Sequence, residues 1–159
     1  MHRIGNFTAF FGADDAFSNW HRCRFEYRGQ QFTSVEQFMM FAKAKLFDDE
    51  ASATAVLSTN DPRDQKALGR KVTGFDATLW EARRESIVFV GCREKFGQNP
   101  GLRSVLLASA PTVLVEASPW DRIWGVGLRE RDPLIADPSK WRGLNLLGTT
   151  LMRVRDALA

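Results

Sequence analysis

Phe32-Thr33-Ser34-Val35-Glu36-Gln37-Phe38-Met39-Met40-Phe41-Ala42-Lys43-Ala44-Lys45-Leu46-Phe47 is the stretch on which the reading of this chain turns. It reads as one helix, apolar nearly all round. Between Val35 and Phe47 only Glu36, Gln37, Lys43 and Lys45 are polar. A helix apolar on every side is buried inside a domain, and charges on it are costly to bury unless they are paired or used. At about 100° per residue, Lys43 falls within roughly 20° of Glu36 around the axis, while Lys45 points to the opposite side. Glu36 and Lys43 therefore share a face, about 10 Å apart along the axis. Met39 and Met40 lie between them, and Phe47 follows. A carboxylate and an amine thus bracket an apolar patch about the size of a sugar. A plainer role for Glu36 is also open. Thr33-x-x-Glu36 and Ser34-x-x-Gln37 both fit the capping-box pattern, in which Glu36 serves only the first turn.

Outward from this helix, the N-terminal side reads as β-structure. Phe7 to Gly12 forms a short strand. Arg24 to Tyr27 and Gln30 to Phe32 alternate apolar and polar around Arg28-Gly29, a hairpin signal. The first 32 residues are therefore expected to supply a small antiparallel sheet. On the C-terminal side, Asp48 to Thr59 reads as a short helix. Asp61 and Pro62 open another as N-cap and first helical residue. A long helix spans about Ala77 to Phe96, and one opened by Asn99-Pro100 ends near Ala110-Pro111. Thr112 to Glu116 is β-branched and short, a strand candidate for the same sheet. From Ala117 to about Gly143 no periodicity survives. Long structureless loops inside a compact domain are uncommon, and are usually functional where they occur. Leu144 to Leu158 closes the chain as an amphipathic helix.

The chain has 159 residues, 44% hydrophobic and 26% charged, as a soluble globular protein would. One domain over 1–159 is expected. The net charge of +3 and pI near 9.1 suit an anionic small molecule, and no basic block argues for nucleic-acid binding by itself. The chain holds 12 Phe and five Trp against one Tyr; five Trp is more than a core of this size needs, so some are expected to line a pocket or its rim. His2 and His21 form no pair, and Cys23 and Cys92 belong to no Cys-x-x-Cys or Cys/His cluster. No metal site and no cofactor are expected. With no secretory leader and no span of ~18 apolar residues, free thiols and a cytoplasmic setting are expected, with no membrane partner. Nothing in the pattern fixes an oligomeric state.

The remaining candidates are open between chemical and structural roles. Trp124-Gly125-Val126-Gly127 lies between no clear strand and helix, so it is no dinucleotide fingerprint. Its glycines allow close backbone approach to a ligand, and Trp124 offers a stacking surface; a tight turn packed by Trp fits equally. Asp121 lies in the same aromatic loop. Lys66, Arg70, Lys71, Arg83 and Arg84 can meet a phosphate or simply solvate helix faces.

Taken in order, several stretches resemble the NADAR superfamily, and within it the short YbiA-like members. They are Phe17-Ser18-Asn19-Trp20; Ser34 to Phe38 followed by Lys43; Ala67-Leu68-Gly69-Arg70 with Trp80 downstream; Lys95-Phe96; Leu114-Val115-Glu116-Ala117; Asp121-x-x-Trp124-Gly125-x-Gly127; and Gly143-x-Asn145-x-Leu147-Gly148 with Leu151-Met152. The ordered set, rather than any single piece, carries the resemblance, and it covers almost the whole chain. Gln37 and Phe38 stand where such members often carry His and Tyr.

The resemblance implies an α+β fold, predominantly helical with a small antiparallel sheet. It implies a hydrolase that cleaves an N-glycosidic bond between ribose, as its 5-phosphate or within ADP-ribose, and an aminopyrimidine- or guanine-type base. Reactive early riboflavin-pathway intermediates are the first substrate expectation. ADP-ribosylated guanine in nucleic acid is the second. A non-catalytic module that binds ADP-ribose or a nucleotide is a reading of another class. The implied catalytic residues are Glu36, Lys43 and Asp121. The implied substrate-binding residues are Asn19, Trp20, Met40, Arg70, Trp80, Trp124, Gly125, Gly127 and Asn145, in a pocket expected where the 34–47 helix meets the 117–143 loop. Two mechanisms fit. Desolvation can lower the Lys43 pKa so that its amine adds at ribose C1, with Glu36 moving protons. Alternatively Lys43 stays charged and a carboxylate works with water against an oxocarbenium-like centre.

Overall fold

Residues 1–159 are described by a computed structural model, in which the chain forms two compact units, residues 22–99 and residues 1–21 with 100–159. The architecture is α+β and mainly helical, with six α-helices and sheets of three and two strands.

In the 22–99 unit, the expected helix is α1, Val35–Leu46. Ser34 is its N-cap, accepting from Gln37 N at 2.9 Å. Gln37 Oε1 in turn accepts from Thr33 N at 2.8 Å and Thr33 Oγ1 at 3.1 Å. The reciprocal cap therefore closes through Ser34 and Gln37, and the reading of Glu36 as the capping residue is corrected. Gln37 Nε2 donates to the carbonyls of Val56 and Thr59 at 3.2 and 3.0 Å. The Ser34 hydroxyl donates to Gln65 Oε1 at 2.7 Å, and Gln65 Nε2 to Thr59 O at 2.8 Å. This network binds the start of α1 to α2 (Glu50–Leu57), to α3 (Pro62–Gly69) and to the turn between them. Gln37 is 2% exposed with both ends of its amide satisfied, as a buried amide must be. Phe38 also faces the core. Its ring lies 5.9 Å from Phe25, 5.4 Å from Tyr27 and 5.1 Å from Phe32.

Those three aromatics belong to the expected hairpin of β3 (Phe25–Tyr27) and β4 (Gln30–Phe32), paired antiparallel with Tyr27 opposite Gln30. Arg28 and Gly29 turn it with φ of 50° and 81°, the positive pair that a two-residue hairpin loop favours. The short helix starts at Glu50 rather than Asp48. Asp49 is its cap, and Asp48 takes a left-handed φ of 55° that ends the preceding turn. Asp61 and Pro62 open α3 as expected. α4 runs Ala77–Gln98, with the Asp76 carboxylate accepting from Leu79 N at 2.9 Å. It packs closely on α1 at Gly91, where an added Cβ would stand 2.7 Å from Phe38 and 3.3 Å from Val35.

The other unit holds a three-stranded sheet ordered β1 (His2–Ile4), β2 (Phe7–Phe10), β5 (Val113–Glu116). β1 and β2 are antiparallel, while β2 and β5 run parallel with Phe7 opposite Val113. The chain thus makes two sheets, one of them mixed, where one antiparallel sheet was expected. Side-chain alternation records which face a strand buries and carries no direction, so a parallel partner far along the chain is not legible from it. α5 spans Pro100–Ala108, and α6 spans Leu146–Leu158. α6 crosses β5 at Gly148, where a Cβ would meet Leu114 O at 2.1 Å. The aperiodic 117–143 segment contains only two short 3-10 turns, Pro133–Ala136 and Pro138–Lys140. It is nonetheless anchored, since Val126, Leu128 and Ile135 are buried against Ala9, Val115 and Ala117. No helix is long and apolar enough to cross a membrane.

The Gln37 network yields a stability test. Gln37→Leu strands the Thr33 N–H and the Val56 carbonyl in a buried setting, and is expected to cost about 2–4 kcal/mol. Urea denaturation followed by circular dichroism measures it.

Candidate active site

Apart from Glu36 and Gln37, the buried side chains of α1 are apolar. Lys43 is half-buried one turn from the end of that helix. Its Nζ donates to the carbonyl of Gly69, the last residue of α3, at 2.8 Å. The same nitrogen lies 4.6 Å from the centroid of the Phe75 ring and 5.5 Å from that of Trp80. Phe47 abuts Phe75 at 5.4 Å. Lys43 is thus walled by rings and held by one carbonyl.

Two local devices build that arrangement. At Gly69, an added Cβ would come within 1.8 Å of Met40 Sδ, so only glycine lets α3 approach α1 closely enough to present its carbonyl to Lys43. At Asp49, the carboxylate caps α2 and also accepts from Thr73 N at 2.9 Å and Thr73 Oγ1 at 3.0 Å, two residues before Phe75. Hydrogen bonds from Thr73 and Ser52 hold the Asp49 carboxyl well below the usual carboxylate range. The short segment that carries Phe75 is thereby fixed to the helices beneath it.

Electrostatically, Lys43 is the unusual group of this unit. Burial is the main reason its pKa falls below the ordinary lysine value. The Glu36 anion pulls it back up, and the Arg70 charge pushes it down. A cation over aromatic faces is also favoured, which opposes burial further. Glu36 is 4% exposed. Met40 is buried, Trp80 half-buried and Arg70 exposed at the C-cap of α3. Of the residues named from sequence, Glu36, Met40, Lys43, Arg70 and Trp80 therefore fall in one unit, grouped about the Lys43 amine.

The remaining named residues lie in the other unit, and most have structural work there. Asp121 Oδ1 accepts from the backbone N–H of Ile123 and of Trp124, both at 2.8 Å, so this carboxylate shapes its own turn. At Gly125, a Cβ would sit 2.9 Å from the carbonyls of Asp121 and Glu116. Gly127 has φ +70°, and an added Cβ there would stand 2.9 Å from Arg142 Cβ. Both glycines serve backbone packing within the protein. Asn145 adopts a left-handed φ of 53°, its Oδ1 accepting from Glu116 N at 3.0 Å and its Nδ2 donating to Leu114 O at 2.9 Å. It ties the start of α6 to β5. Asn19 is buried in the Ser18–His21 turn, where Trp20, half-buried, donates its N–H to Ser18 Oγ at 3.1 Å. Trp124 is half-buried.

Sequence reasoning passed over two features. Phe75 lies outside any periodic segment, and its only signal was its place beside the Asp76 cap. A cavity of about 270 Å³ is lined by Phe11, Ala117, Pro119, Trp120, Arg129 and Glu130. Trp120 is 80% exposed there, beside Asp121, and the signal available was an indole next to Pro119 in the aperiodic segment. Cys23 and Cys92 are free thiols. No group of three or more His, Cys, Asp or Glu is placed to hold a metal ion.

Comparison with known proteins sets this geometry in a lineage. The NADAR domain family profile matches residues 9–159. An N-glycosidase of Acanthamoeba polyphaga mimivirus is 41% identical over 145 residues, covering 88% of this chain and 85% of that protein. The protein irg-1 of Caenorhabditis elegans is 36% identical over 168 residues, covering 96% and 79%. The N-glycosidase YbiA of Escherichia coli is 29% identical over 143 residues, covering 90% and 81%. The solution structure of YbiA from E. coli superposes with a TM-score of 0.79 at 27% identity, over 99% of this chain and 88% of that one.

The Gly69–Met40 contact gives the test of how Lys43 is held. Gly69→Ala drives its methyl into the packed Met40 side chain, and the shift that relieves the clash is expected to loosen the Lys43 hydrogen bond. Loss of turnover by at least tenfold is expected, with a drop in Tm of several degrees, from overpacking worth about 1–3 kcal/mol. Steady-state kinetics beside a thermal melt measures both.

Proposed function

The chain belongs to the NADAR domain family, and from that premise we propose that it is an N-glycosidase, a hydrolase acting on N-glycosyl compounds. The substrate in this reading is ribose, as its 5-phosphate or within ADP-ribose, joined through C1 to an amino nitrogen of an aminopyrimidine- or guanine-type base. Early riboflavin-pathway intermediates come first among these, and ADP-ribosylated guanine second. Relatives named as N-glycosidases, from mimivirus and E. coli, support the reaction class. The observation that carries the mechanism is the Lys43 amine, half-buried, lowered in pKa and held by Gly69 O on the helix that bears Glu36.

In its neutral form Lys43 keeps one N–H on the Gly69 carbonyl and turns its lone pair elsewhere. That lone pair adds to ribose C1. The Glu36 carboxylate takes a proton from the attacking amine and passes it to the leaving nitrogen as the C1–N bond breaks with its electron pair. Lys43 is then bonded to C1 as a secondary amine, and transfer of its remaining proton to the ring oxygen opens the ring and leaves an imine. Glu36 takes a proton from water as the water adds to C1, and gives it to the Lys43 nitrogen. The C1–Lys43 bond then breaks as the proton of the new C1 hydroxyl moves to nitrogen, which regenerates the amine and leaves C1 as an aldehyde. The free base and the free ribosyl group leave, and the net reaction consumes one water. Proton transfer of this kind contributes roughly 10²–10⁴-fold. Lowering the amine pKa raises the fraction able to attack near neutral pH.

Two outcomes follow for the wild-type protein incubated with ribosylamine substrates of both types. Borohydride added during turnover is expected to leave a ribosyl adduct on Lys43 by mass spectrometry, and Lys43→Met is expected to release no base and form no adduct while remaining folded. Release of base with no adduct would contradict covalent attack by Lys43. The pH–rate profile should rise through an apparent pKa below 10.5, the ordinary value of a lysine. The Arg70 charge lowers the Lys43 pKa, so Arg70→Gln raises it and is expected to move that rising limb to higher pH.

A further inference from the structure

One guanidinium in the 22–99 unit has a buried donor without a partner. Arg84 lies on α4 and is half-buried, and its Nε is shielded from solvent with no hydrogen-bond partner. It takes part in none of the ion pairs of the chain. A guanidinium is charged at every physiological pH. Leaving one of its donors buried and unmade costs stability, which protein interiors seldom accept without a use for it.

Its position along α4 says what that use is. Trp80, Arg84, Val88, Gly91 and Lys95 recur at helical spacing and form one stripe. Two points of that stripe are fixed on α1: Trp80 lies at the Lys43 amine, and Gly91 lies against Val35 and Phe38. Arg84 falls between them, one turn or about 6 Å from Trp80. It is therefore aligned with the segment of α1 that runs from Glu36 to Lys43. Arg70 adds a second cation whose charge reaches Lys43. Arg70 follows Gly69, whose carbonyl holds Lys43, and Arg84 lies one turn beyond Trp80 on α4. Two guanidinium groups, one with a buried and unused donor, suit an anion.

We propose that Arg84 binds the phosphate ester of the ribosyl substrate, with Arg70 as a second, more exposed cation for the same group. The proposal rests on the N-glycosidase reading above and names the part of the substrate that this site selects. A phosphate offers several acceptor oxygens to the planar fork of an arginine, including its Nε–H. A ribose ring with C1 at Lys43 carries its 5′ substituent across the distance that one helical turn covers. The site thus recognises phosphorylated ribose and disfavours the corresponding nucleoside.

The test compares a 5-phosphoribosylated amine with its dephosphorylated form, in wild-type protein, Arg84→Gln and Arg84→Lys. Wild type is expected to prefer the phosphorylated substrate in kcat/KM by at least a hundredfold. Arg84→Gln is expected to lower that ratio at least tenfold, mainly through KM, and Arg84→Lys to restore part of it as a point charge. Because Arg84 makes no protein hydrogen bond or ion pair, Arg84→Gln is expected to keep the wild-type Tm. Ribose 5-phosphate binding by calorimetry gives a readout independent of turnover. It is expected to be saturable in wild type and at least tenfold weaker in Arg84→Gln, and this holds as support for Arg84 even if no substrate is cleaved and the glycosidase reading fails. Equal preference for the two substrates in wild type, an equal loss on both in Arg84→Gln, or ribose 5-phosphate affinity unchanged by Arg84→Gln would each overturn the proposal.

Discussion

A lysine amine held half out of water by a single carbonyl is the constraint around which the candidate site is built. Lys43 sits on a helix whose neighbours are methionine, alanine and phenylalanine, so water can solvate only part of its head group. The Gly69 carbonyl replaces some of that lost solvation and fixes direction. The rest of the local structure makes this possible. Gly69 must lack a side chain because Met40 Sδ occupies its place. Phe75 must stay over the amine, and Asp49 grips Thr73 to keep it there. Arg70 and Glu36 act on the amine with opposite sign. The balance of burial and charge leaves it easier to deprotonate than a surface lysine.

Beside the Lys43 face, α1 carries a second polar system with a different purpose. Ser34, Gln37 and Gln65 exchange hydrogen bonds with one another, with Thr33 and with the carbonyls of Val56 and Thr59, so their polar groups are spent on holding three helices together. Gln37 and Phe38 both serve this interior. A similar division runs through the other unit. Gly125, Gly127, Gly143 and Gly148 permit close approach of protein to protein, and Asn145 latches α6 to β5. A motif that looks like ligand chemistry can thus be mostly carpentry, and the two are separated by whether each polar group already has a partner.

Much of this was legible in the sequence because it depends on local spacing. The period of α1, the Asp61-Pro62 start of α3 and the Arg28-Gly29 hairpin are local signals, and each is realised. The pairing of Glu36 and Lys43 on one face needed only the helical repeat. What spacing does not encode is where distant elements meet. The parallel union of β2 with β5, the approach of Gly69 to Met40 and the seat of Phe75 over Lys43 depend on tertiary packing. The same holds for cap choice. Two overlapping capping-box patterns gave Glu36 and Gln37 equal claims, and the nearby Val56 and Thr59 carbonyls decided for Gln37. Arg84 was one of several basic residues in the sequence. Only burial without a partner set it apart.

The account stands on Lys43 being an amine that loses its proton more readily than an ordinary lysine. Direct titration of the Lys43 side chain by nitrogen-detected NMR in the intact protein tests this, with Lys43→Met used to assign the signal. A midpoint clearly below 10.5 is the result the account requires, moving upward in Arg70→Gln. A midpoint at or above 10.5 would contradict it, and would leave Lys43 a permanent cation rather than the group that attacks ribose C1.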